Sequence, residues 1–420
     1  MAKKMYIGID GTAQKVKKIY VGVDGFARKV KKGYIGIGGV ARLFWSGGEL
    51  GYHGTATPLS MGRAAMSATS VGNFALFAGG YIDAAETPTS RVDAYNKSLT
   101  RTIPPELSEA RANMAATTVG DYALFAGGGD VTDKVDVYDR SLTRTAATAL
   151  KEGKFHVAAT TVGDYALFAG GSPPTTGTWS GVVSYAYKTV EAYNKSLTKT
   201  LPTELNEARI GGGATTVGDY ALFAGGYWYI SNYDGLEGHT KTVEAYNKSL
   251  TRTAAPSMSN YRHHMAAATV GDYALFAGGY YRTVTNGTPI SLFAVEAYDK
   301  SLTKIAAPDL CYARYDLAAT TLGDFAIFAG GRTYGDEKYG ENPPDIDAAD
   351  KWDTFAIKLV DVYDASLTRT THTSLSKGRQ SLSAATIGSY ALFAGGTSTY
   401  TLTNGYMGHE YSSIVDVYTI

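Results

Sequence analysis

The sequence predicts an all-β protein, a seven-bladed β-propeller over residues 51–420 that follows a segment of β-hairpins over residues 1–50. Three observations support this prediction. The start of the chain carries a 14-residue repeat, the remainder carries a longer repeat that occurs seven times, and each long repeat contains four runs of strand length. A chain of 420 residues has ample material for a core of this size.

The N-terminal segment consists of three similar units of 14 residues. They read KKMYIGIDGTAQKV (3–16), KKIYVGVDGFARKV (17–30) and KKGYIGIGGVARLF (31–44). In each unit an Asp-Gly or Gly-Gly pair separates two β-rich runs, and such a pair supplies the positive φ angles of a two-residue hairpin turn. Three hairpins bury little apolar surface. We therefore expect other copies of the segment, or a larger assembly, to complete it.

The second repeat fills residues 52–420, and its period varies between 43 and 65 residues. Each unit has a segment similar to VGDYALFAGG, a variable loop, and then Val-(Asp/Glu)-(Ala/Val)-Tyr. The double glycines are Gly79-Gly80, Gly127-Gly128, Gly170-Gly171, Gly225-Gly226, Gly278-Gly279, Gly330-Gly331 and Gly395-Gly396. The tyrosines are Tyr95, Tyr138, Tyr193, Tyr246, Tyr298, Tyr363 and Tyr418.

Four short strands in each unit, which we label a to d, describe one blade of a β-propeller. The patterns are AATTVG for a, YALFAGG for b, VEAYNK for c and LTRTAAPS for d. The seventh unit ends after strand c at Ile420, whereas residues 52–63 match the strand d pattern. We therefore expect residues 52–63 to close the ring by pairing with the C-terminal blade.

These units resemble the kelch-repeat family. The resemblance covers about 370 residues and rests on the double glycine, the tyrosine of strand c, the acid two residues before it and the cation after strand d. The tryptophan usual in strand d of kelch repeats is absent from every unit, so the resemblance implies a divergent kelch-like propeller.

Strand order places the b–c and d–a connections on one face of the ring, which we call the loop face. The b–c loops range from six residues (129–134) to 28 residues (332–359), and they mix Tyr and Trp with Ser, Gly, Asn and Thr. That composition is typical of recognition loops, although such loops can also bury their own aromatic side chains. The candidate ligand-binding residues are Trp179, Trp228, Tyr229, Tyr281, Tyr334, Trp352, Tyr400 and Tyr406.

A cation occurs at the same register of every unit, nine residues before the glycine of the a–b turn. We expect these cations to surround the mouth of the central channel together with His264; they are Arg63, Arg111, Lys154, Arg209, Arg262, Arg314 and Arg379. Such a ring could bind an acidic ligand. It could equally pair with the seven acids of strand c. If a small-molecule pocket exists, the residues after the cations line it, among them Asn113, Phe155-His156, His263-His264, Tyr315-Asp316 and Gln380-Ser381.

Composition excludes several other classes. Ten cations against three acids give residues 1–50 a net charge of +7, which leaves −7 for the remainder, so the propeller is not expected to bind nucleic acid. Cys311 is the single cysteine, which excludes a disulfide framework. We find no signal peptide, no apolar run of membrane-spanning length and no phosphate-loop, zinc or nucleophile-elbow motif. We therefore expect no cofactor, no bound metal and synthesis in the cytoplasm.

The units K-K-x-Y-[IV]-G-[IV]-x-G-x-A-R resemble repeats of tail-associated proteins of phages and prophages of Gram-positive anaerobes. This resemblance implies a virion or tail protein that is released by lysis and held to other subunits, or to copies of itself, by residues 1–50. We expect a non-enzymatic receptor-binding protein that recognises a cell-surface glycan or protein. The first alternative is a scaffolding propeller that docks another protein. The second is an enzyme similar to copper-radical oxidases, which would use Cys311, Tyr312, His263 and His264.

Overall fold

A computed structural model of the chain describes residues 6–9, 12–15, 20–23, 26–29, 32–37, 40–46, 49–129, 132–173, 186–229, 237–282, 289–333, 355–401 and 407–420. The chain forms two compact units, Met1–Gly51 with Thr419–Ile420, and Tyr52–Tyr418. All regular secondary structure in the described ranges is β-strand, and they contain no helix long and apolar enough to cross a membrane.

The first unit contains three antiparallel hairpins that follow the 14-residue repeat. Each closes with two residues between the paired strand ends, for example at Ile9↔Thr12 and Val23↔Phe26. This spacing is that of a two-residue hairpin loop. The strand pairs are Tyr6–Ile9 with Thr12–Lys15, Tyr20–Val23 with Phe26–Lys29, and Lys32–Ile37 with Val40–Ser46.

The second unit contains seven four-stranded antiparallel sheets, each in the order a-b-c-d, which confirms the predicted seven-bladed β-propeller. The a strands are Ser67–Val71, Ala115–Val119, Ala158–Val162, Gly213–Val217, Ala266–Val270, Ala318–Leu322 and Ser383–Ile387. The b strands are Phe74–Ala78, Tyr122–Ala126, Tyr165–Ala169, Tyr220–Ala224, Tyr273–Ala277, Phe325–Ala329 and Tyr390–Ala394.

The two outer strands of each blade differ in length. The c strands are Val92–Asn96, Val135–Asp139, Val190–Asn194, Val243–Asn247, Val295–Asp299, Val360–Asp364 and Val415–Thr419. The d strands of blades 1 to 6 are shorter: Arg101–Thr102, Arg144–Ala146, Lys199–Thr200, Arg252–Ala255, Lys304–Ala306 and Arg369–His372.

The outer strand of blade 7 comes from the other end of the propeller sequence. Strand Gly51–Thr55 lies beside Val415–Thr419, and the Ala56 N–H donates to the Val415 carbonyl at 2.9 Å. The Tyr52 hydroxyl donates to Asp416 at 2.6 Å. The strand itself is shorter than the stretch 52–63 that the sequence matches to strand d.

The strand c tyrosines connect neighbouring blades. Each tyrosine is fully buried, and its ring meets the strand b phenylalanine of its own blade edge to face, as Tyr95 meets Phe77 at 5.9 Å. Each hydroxyl donates to a backbone carbonyl in the connection between strand d of the preceding blade and strand a of its own blade, as Tyr95 donates to Thr57 at 2.8 Å and Tyr138 to Pro105 at 2.8 Å. A buried hydroxyl needs such a partner, so the repeated tyrosine fixes the spacing of the blades.

The double glycines join blades by their backbone. The first glycine of each pair has φ between 61° and 72°, and a Cβ there would lie 2.2–2.6 Å from the carbonyl of the next blade's cation. The second glycine donates its N–H to that same carbonyl at 2.9–3.0 Å. Only glycine permits this approach, which explains why the pair recurs in all seven blades.

The wall of the central channel is closed by hydroxyl groups of strand a. One Ser or Thr in each blade donates to a backbone carbonyl of the preceding blade, and the seven bonds form a complete circle. The donors are Ser70, Thr118, Thr161, Thr216, Thr269, Thr321 and Thr386. The channel therefore has a rigid wall on which its mouth is built.

Candidate functional site

The face opposite the loop face, which we call the turn face, is almost the same in every blade. In six c–d turns an Asn or Asp accepts two backbone N–H groups, as Asn96 does from Ser98 at 2.9 Å and Thr100 at 3.0 Å. The following leucine of each turn has a positive φ, for example Leu99 at 58°. These are local turn interactions that any blade needs, so they carry no specificity.

The loop face differs from blade to blade. Blades 4 to 7 extend their b–c connection into a second hairpin, with strands Tyr227–Tyr229 and Glu237–His239, Tyr280–Arg282 and Pro289–Ser291, Arg332–Thr333 and Phe355–Ala356, and Thr397–Thr401 and Met407–Tyr411. The first residue of each hairpin bridges to the residue after a cation, as in His263↔Tyr280. The hairpins therefore begin beside the channel mouth.

The seven cations are buried and each pairs with the strand c acid of its own blade. Arg63 Nη1 lies 2.8 Å from Asp93, Lys154 Nζ 2.8 Å from Glu191 and Arg314 Nη2 2.8 Å from Asp361. The remaining pairs are Arg111 with Asp136, Arg209 with Glu244, Arg262 with Glu296 and Arg379 with Asp416. Of the two interpretations of this ring, the structure shows the paired one.

The acids are held from further sides. Each accepts the backbone N–H of the residue three positions before the cation, as Asp136 does from Ser108 at 3.1 Å. In blades 1 to 6 a cation of strand d also approaches the carboxylate, as Arg144 Nη1 does at 2.8 Å from Asp136. Tyr52 takes this place in blade 7, and burial together with Asp416 raises its pKa to about 12. The cations therefore stabilise the blades and do not face a ligand.

A closed ring of backbone hydrogen bonds forms the channel mouth. The residue two positions after each cation has φ between 51° and 62°, and its N–H donates to the corresponding carbonyl of the preceding blade at 2.9–3.3 Å. We call these residues the mouth ring: Ala65, Asn113, His156, Gly211, His264, Asp316 and Ser381. The bonds fix the backbone at all seven positions, and therefore the direction of the six side chains around one opening.

The mouth ring carries a hydrogen-bonded charge chain. His264 Nδ1 lies 2.7 Å from Asp316 Oδ1, and Arg332 contacts Asp316 Oδ2 at 2.9 Å while its guanidinium lies 4.6 Å from the centre of the Tyr315 ring. Burial would raise the pKa of Asp316, but the charge and hydrogen bond of His264, together with Arg332, outweigh burial and lower the pKa to about 2. The carboxylate therefore stays ionised and fixes the orientation of the His264 ring.

A second histidine of the mouth ring stands next to His264. The centres of the His156 and His264 rings are 5.7 Å apart, and Phe155 packs on His156 at 5.0 Å. Burial, reinforced by the charge of His264, lowers the pKa of His156 to about 3. His156 is therefore a neutral imidazole at physiological pH, with one donor and one acceptor nitrogen.

Behind the mouth ring, aromatic and imidazole rings pack together in blades 4 and 5. His263 is fully buried, with its ring 4.3 Å from Tyr227, 4.1 Å from Tyr280 and 5.4 Å from His239. Burial, followed by the charges of the neighbouring histidines, lowers the pKa of His263 well below its ordinary value. This cluster supports the bases of two loop hairpins.

A cavity of about 210 Å³ opens at the mouth ring. Its polar walls are Asn113, His156 and His264, and methionines from three blades complete it: Met66, Met114 and Met265. Asn113, His156 and His264 were predicted from their register after the cations, whereas Ala65 and Gly211, which also border the cavity, were not named. Arg332, Tyr227, Tyr280 and His239 were not predicted as their partners. They lie in the b–c loops, directly after a double glycine or opposite it in a hairpin, where the repeat pattern stops.

The structure describes only part of the predicted loop-face set. Trp228 and Tyr281 are partly buried, and the Tyr281 ring lies 6.4 Å from His239. Tyr229 and Tyr400 belong to hairpin strands, and only their backbone is described. Trp179, Tyr334, Trp352 and Tyr406 lie outside the described residues.

Cys311 lies at a blade corner and not at the mouth ring. Its Sγ is 3.2 Å from Asp361 Oδ2, in the position that serine occupies before other cations, and it borders a cavity of about 550 Å³ together with Phe293 and Tyr312. Within the described ranges, no group of three His, Cys, Asp or Glu side chains is arranged to hold a metal ion.

Comparison with known proteins supports the fold. No protein-family model and no curated protein sequence matches the chain. Among solved structures, one titled "Structure of YjhT" is similar with a TM-score of 0.52 and 15% sequence identity, over 75% of this chain and 99% of that chain. At this identity the similarity shows the shared β-propeller architecture alone.

Proposed function

We propose that this protein is a non-enzymatic, divergent kelch-type binding protein. Its loop face recognises a cell-surface glycan or protein, and residues 1–50 hold it to a phage or prophage tail. The contrast between the two faces carries the proposal: the turn face repeats one local turn, whereas the loop face bears four different hairpins on one rigid ring. Variable loops on a rigid scaffold are the usual location of binding sites.

The rigidity of the loop face supports binding. The hairpins begin at backbone bridges such as Ile210↔Tyr227 and Gln380↔Thr397, and these bridges connect to the mouth ring. Side chains near the hairpin bases are held by ring contacts, as Tyr280 is by His263 and by Tyr315 at 4.4 Å. A preorganised surface loses less conformational entropy on binding, which favours affinity.

Aromatic side chains supply the proposed contacts. Trp228 and Tyr281 lie on neighbouring hairpins and are partly exposed, and the sequence adds Trp179 and Trp352 in other b–c loops. Trp and Tyr offer large contact areas at low entropic cost, and their faces can stack on sugar rings. These four aromatic residues are therefore the part of the loop face to test.

The experiment measures binding of the full chain to a glycan array and to intact Gram-positive cells. Ala variants of Trp179, Trp228, Tyr281 and Trp352 should each bind at least fivefold more weakly. Lys195→Ala and Lys248→Ala are the matched controls, because both cations lie in exposed ion pairs on the turn face. Unchanged binding by all four aromatic variants, or equal loss in the controls, would refute loop-face recognition.

The scaffolding function remains the second candidate, since the same face could dock a subunit of a particle. Residues 1–50 carry a net charge of +7 and form hairpins, and both features suit attachment to an acidic neighbour. Immunogold labelling of purified particles distinguishes the two. Label at the exposed tail tip supports receptor binding, whereas label that appears only after particles are disrupted supports scaffolding.

A further inference from the structure

The mouth ring carries polar side chains that its backbone hydrogen bonds do not need. All seven positions use the left-handed backbone conformation, in which glycine is most easily accommodated, and the chain places glycine only at Gly211. Two of the other positions carry histidine and one carries asparagine. The backbone ring would close without these side chains, because its hydrogen bonds join main-chain atoms.

His156, His264 and Asn113 each have a side-chain hydrogen-bonding atom at this cavity that makes no short hydrogen bond to a described residue. His264 Nδ1 is hydrogen-bonded to Asp316 Oδ1, whereas His264 Nε2 has no hydrogen-bond partner among the described residues. The His156 imidazole makes ring contacts, but its nitrogens form no hydrogen bond to a described residue; only the backbone of His156 is hydrogen-bonded, within the mouth ring. Asn113 Nδ2 has only a long contact, 3.4 Å to the Tyr81 hydroxyl. Two imidazoles and one amide can therefore exchange hydrogen bonds with a small molecule at the mouth.

The size and lining of the cavity restrict what that molecule can be. The cavity has a volume of about 210 Å³. This is the size of one sugar ring and is below the range of pockets for drug-sized ligands. The methionines from three blades add an apolar wall to the polar one. A ligand with hydroxyl groups and an apolar C–H face would match both walls.

Charge distinguishes a neutral ligand from an acidic one. The seven cations near the mouth are buried in ion pairs with strand c acids. Arg332 contacts Asp316, and the His264 ring contacts the same carboxylate. No described residue that lines the cavity is Arg, Lys, Asp or Glu. A carboxylate would therefore lose its hydration without meeting a dedicated cation, which is unfavourable.

We propose that the cavity at the mouth ring binds one uncharged monosaccharide unit, with His156, His264 and Asn113 as its hydrogen-bonding residues. Asp316 and Arg332 act as positioning residues that fix the His264 ring. This inference rests on the proposed function, because the sugar would be the terminal residue of a glycan that the loop face recognises.

The test follows imidazole nitrogen resonances of the full chain by NMR during titration with D-galactose, D-glucose, N-acetyl-D-glucosamine and D-glucuronic acid. At least one neutral sugar should shift the His156 and His264 signals, with saturation in the millimolar range, and glucuronic acid should not. His264→Ala should weaken this binding at least tenfold. His53→Ala should leave it unchanged, because His53 is exposed on the outer strand of blade 7.

Two further measurements complete the test. The first separates a positioning role of Asp316 from a role in folding, and the second separates this inference from the proposed function. Asp316→Asn should keep the thermal midpoint within a few degrees yet alter the His264 nitrogen shifts before sugar is added. The inference would be overturned if only glucuronic acid shifted the His156 and His264 signals, or if none of the four sugars shifted them. Array binding that is lost in Trp228→Ala but retained in His156→Ala/His264→Ala would overturn it while leaving the proposed function intact. Sugar binding at the mouth without glycan or cell binding would overturn the proposed function instead.

Discussion

Arg379→Met should destabilise the propeller more than the same change in any blade that keeps a second cation. Arg379 donates to the Gly395 and Ile414 carbonyls at 2.6 and 3.0 Å and pairs with the fully buried Asp416. Its removal leaves Asp416 with the Ser376 N–H and the Tyr52 hydroxyl but with no cation among the described residues. Breaking a buried ion pair by removing one partner costs about 3–5 kcal/mol.

The expected shift in melting temperature follows from the size of the unit. Unfolding entropy of about 2.1 cal/mol/K per residue gives about 0.8 kcal/mol/K for a propeller of roughly 370 residues. The loss of about 3–5 kcal/mol therefore lowers the midpoint by about 4–6 °C. Arg111→Met should lower it by only about 2–4 °C, because Arg144 remains 2.8 Å from Asp136.

The assay is thermal unfolding of the full chain followed by circular dichroism. Arg140→Met is the matched control, since its pair with Asp121 is exposed and contributes about 0–1 kcal/mol. The structural role assigned to the cations would be refuted if the melting temperature of Arg379→Met lay within about 1 °C of that of the parent chain. It would also be refuted if Arg379→Met lowered the melting temperature no more than Arg140→Met does.

Three further predictions concern closure, backbone and pH. Tyr52→Phe removes the hydrogen bond to Asp416 and should lower the free energy of unfolding by about 1.5–3 kcal/mol, as measured by thermal unfolding. An unchanged free energy would show that this strand does not hold blade 7. Gly80→Ala should lower the free energy of unfolding by more than about 2 kcal/mol, because φ is +108° and a Cβ would lie 2.6 Å from the Ala64 carbonyl. Gly51→Ala is the control, since a Cβ there meets open space and should leave the stability nearly unchanged. Equal effects of the two substitutions would contradict this reasoning. His156 should titrate near pH 3 by NMR, since burial holds its pKa below the ordinary 6.5. The burial of neutral His156 therefore contributes fully to the stability of the fold above pH 6.5, and this contribution is lost as the pH falls toward 3. A titration midpoint near pH 6.5 would contradict the buried position of His156.

The propeller could be predicted because its determinants are local and repeated. Each double glycine and each strand c tyrosine serves one inter-blade contact, and seven occurrences make the pattern visible in the sequence. The cation and acid rings were equally visible, and their pairing was one of the two interpretations that the sequence left open. Whether Arg111 meets Asp136 or a ligand depends on depth within the blade, which repeat spacing does not encode.

The site was only partly predictable because its contacts join different blades. His264 and Asp316 are 52 positions apart and meet only through the register of the mouth ring. Arg332 reaches Asp316 from a b–c loop, where the repeat pattern stops. The hairpin form of these loops depends on their bridge to the d–a corner, as in Tyr315↔Arg332, and a single unit of sequence does not show that bridge.

Hydrogen–deuterium exchange of the full chain, with and without the strongest ligand found on the glycan array, tests loop-face recognition most directly. Binding should slow exchange around His156 and His264 and in the hairpin strands Tyr227–Tyr229, Glu237–His239, Tyr280–Arg282 and Pro289–Ser291. The c–d turns of the turn face, such as residues 96–100, should exchange as before. Protection confined to those turns, or to residues 1–50, would contradict recognition through the loop face.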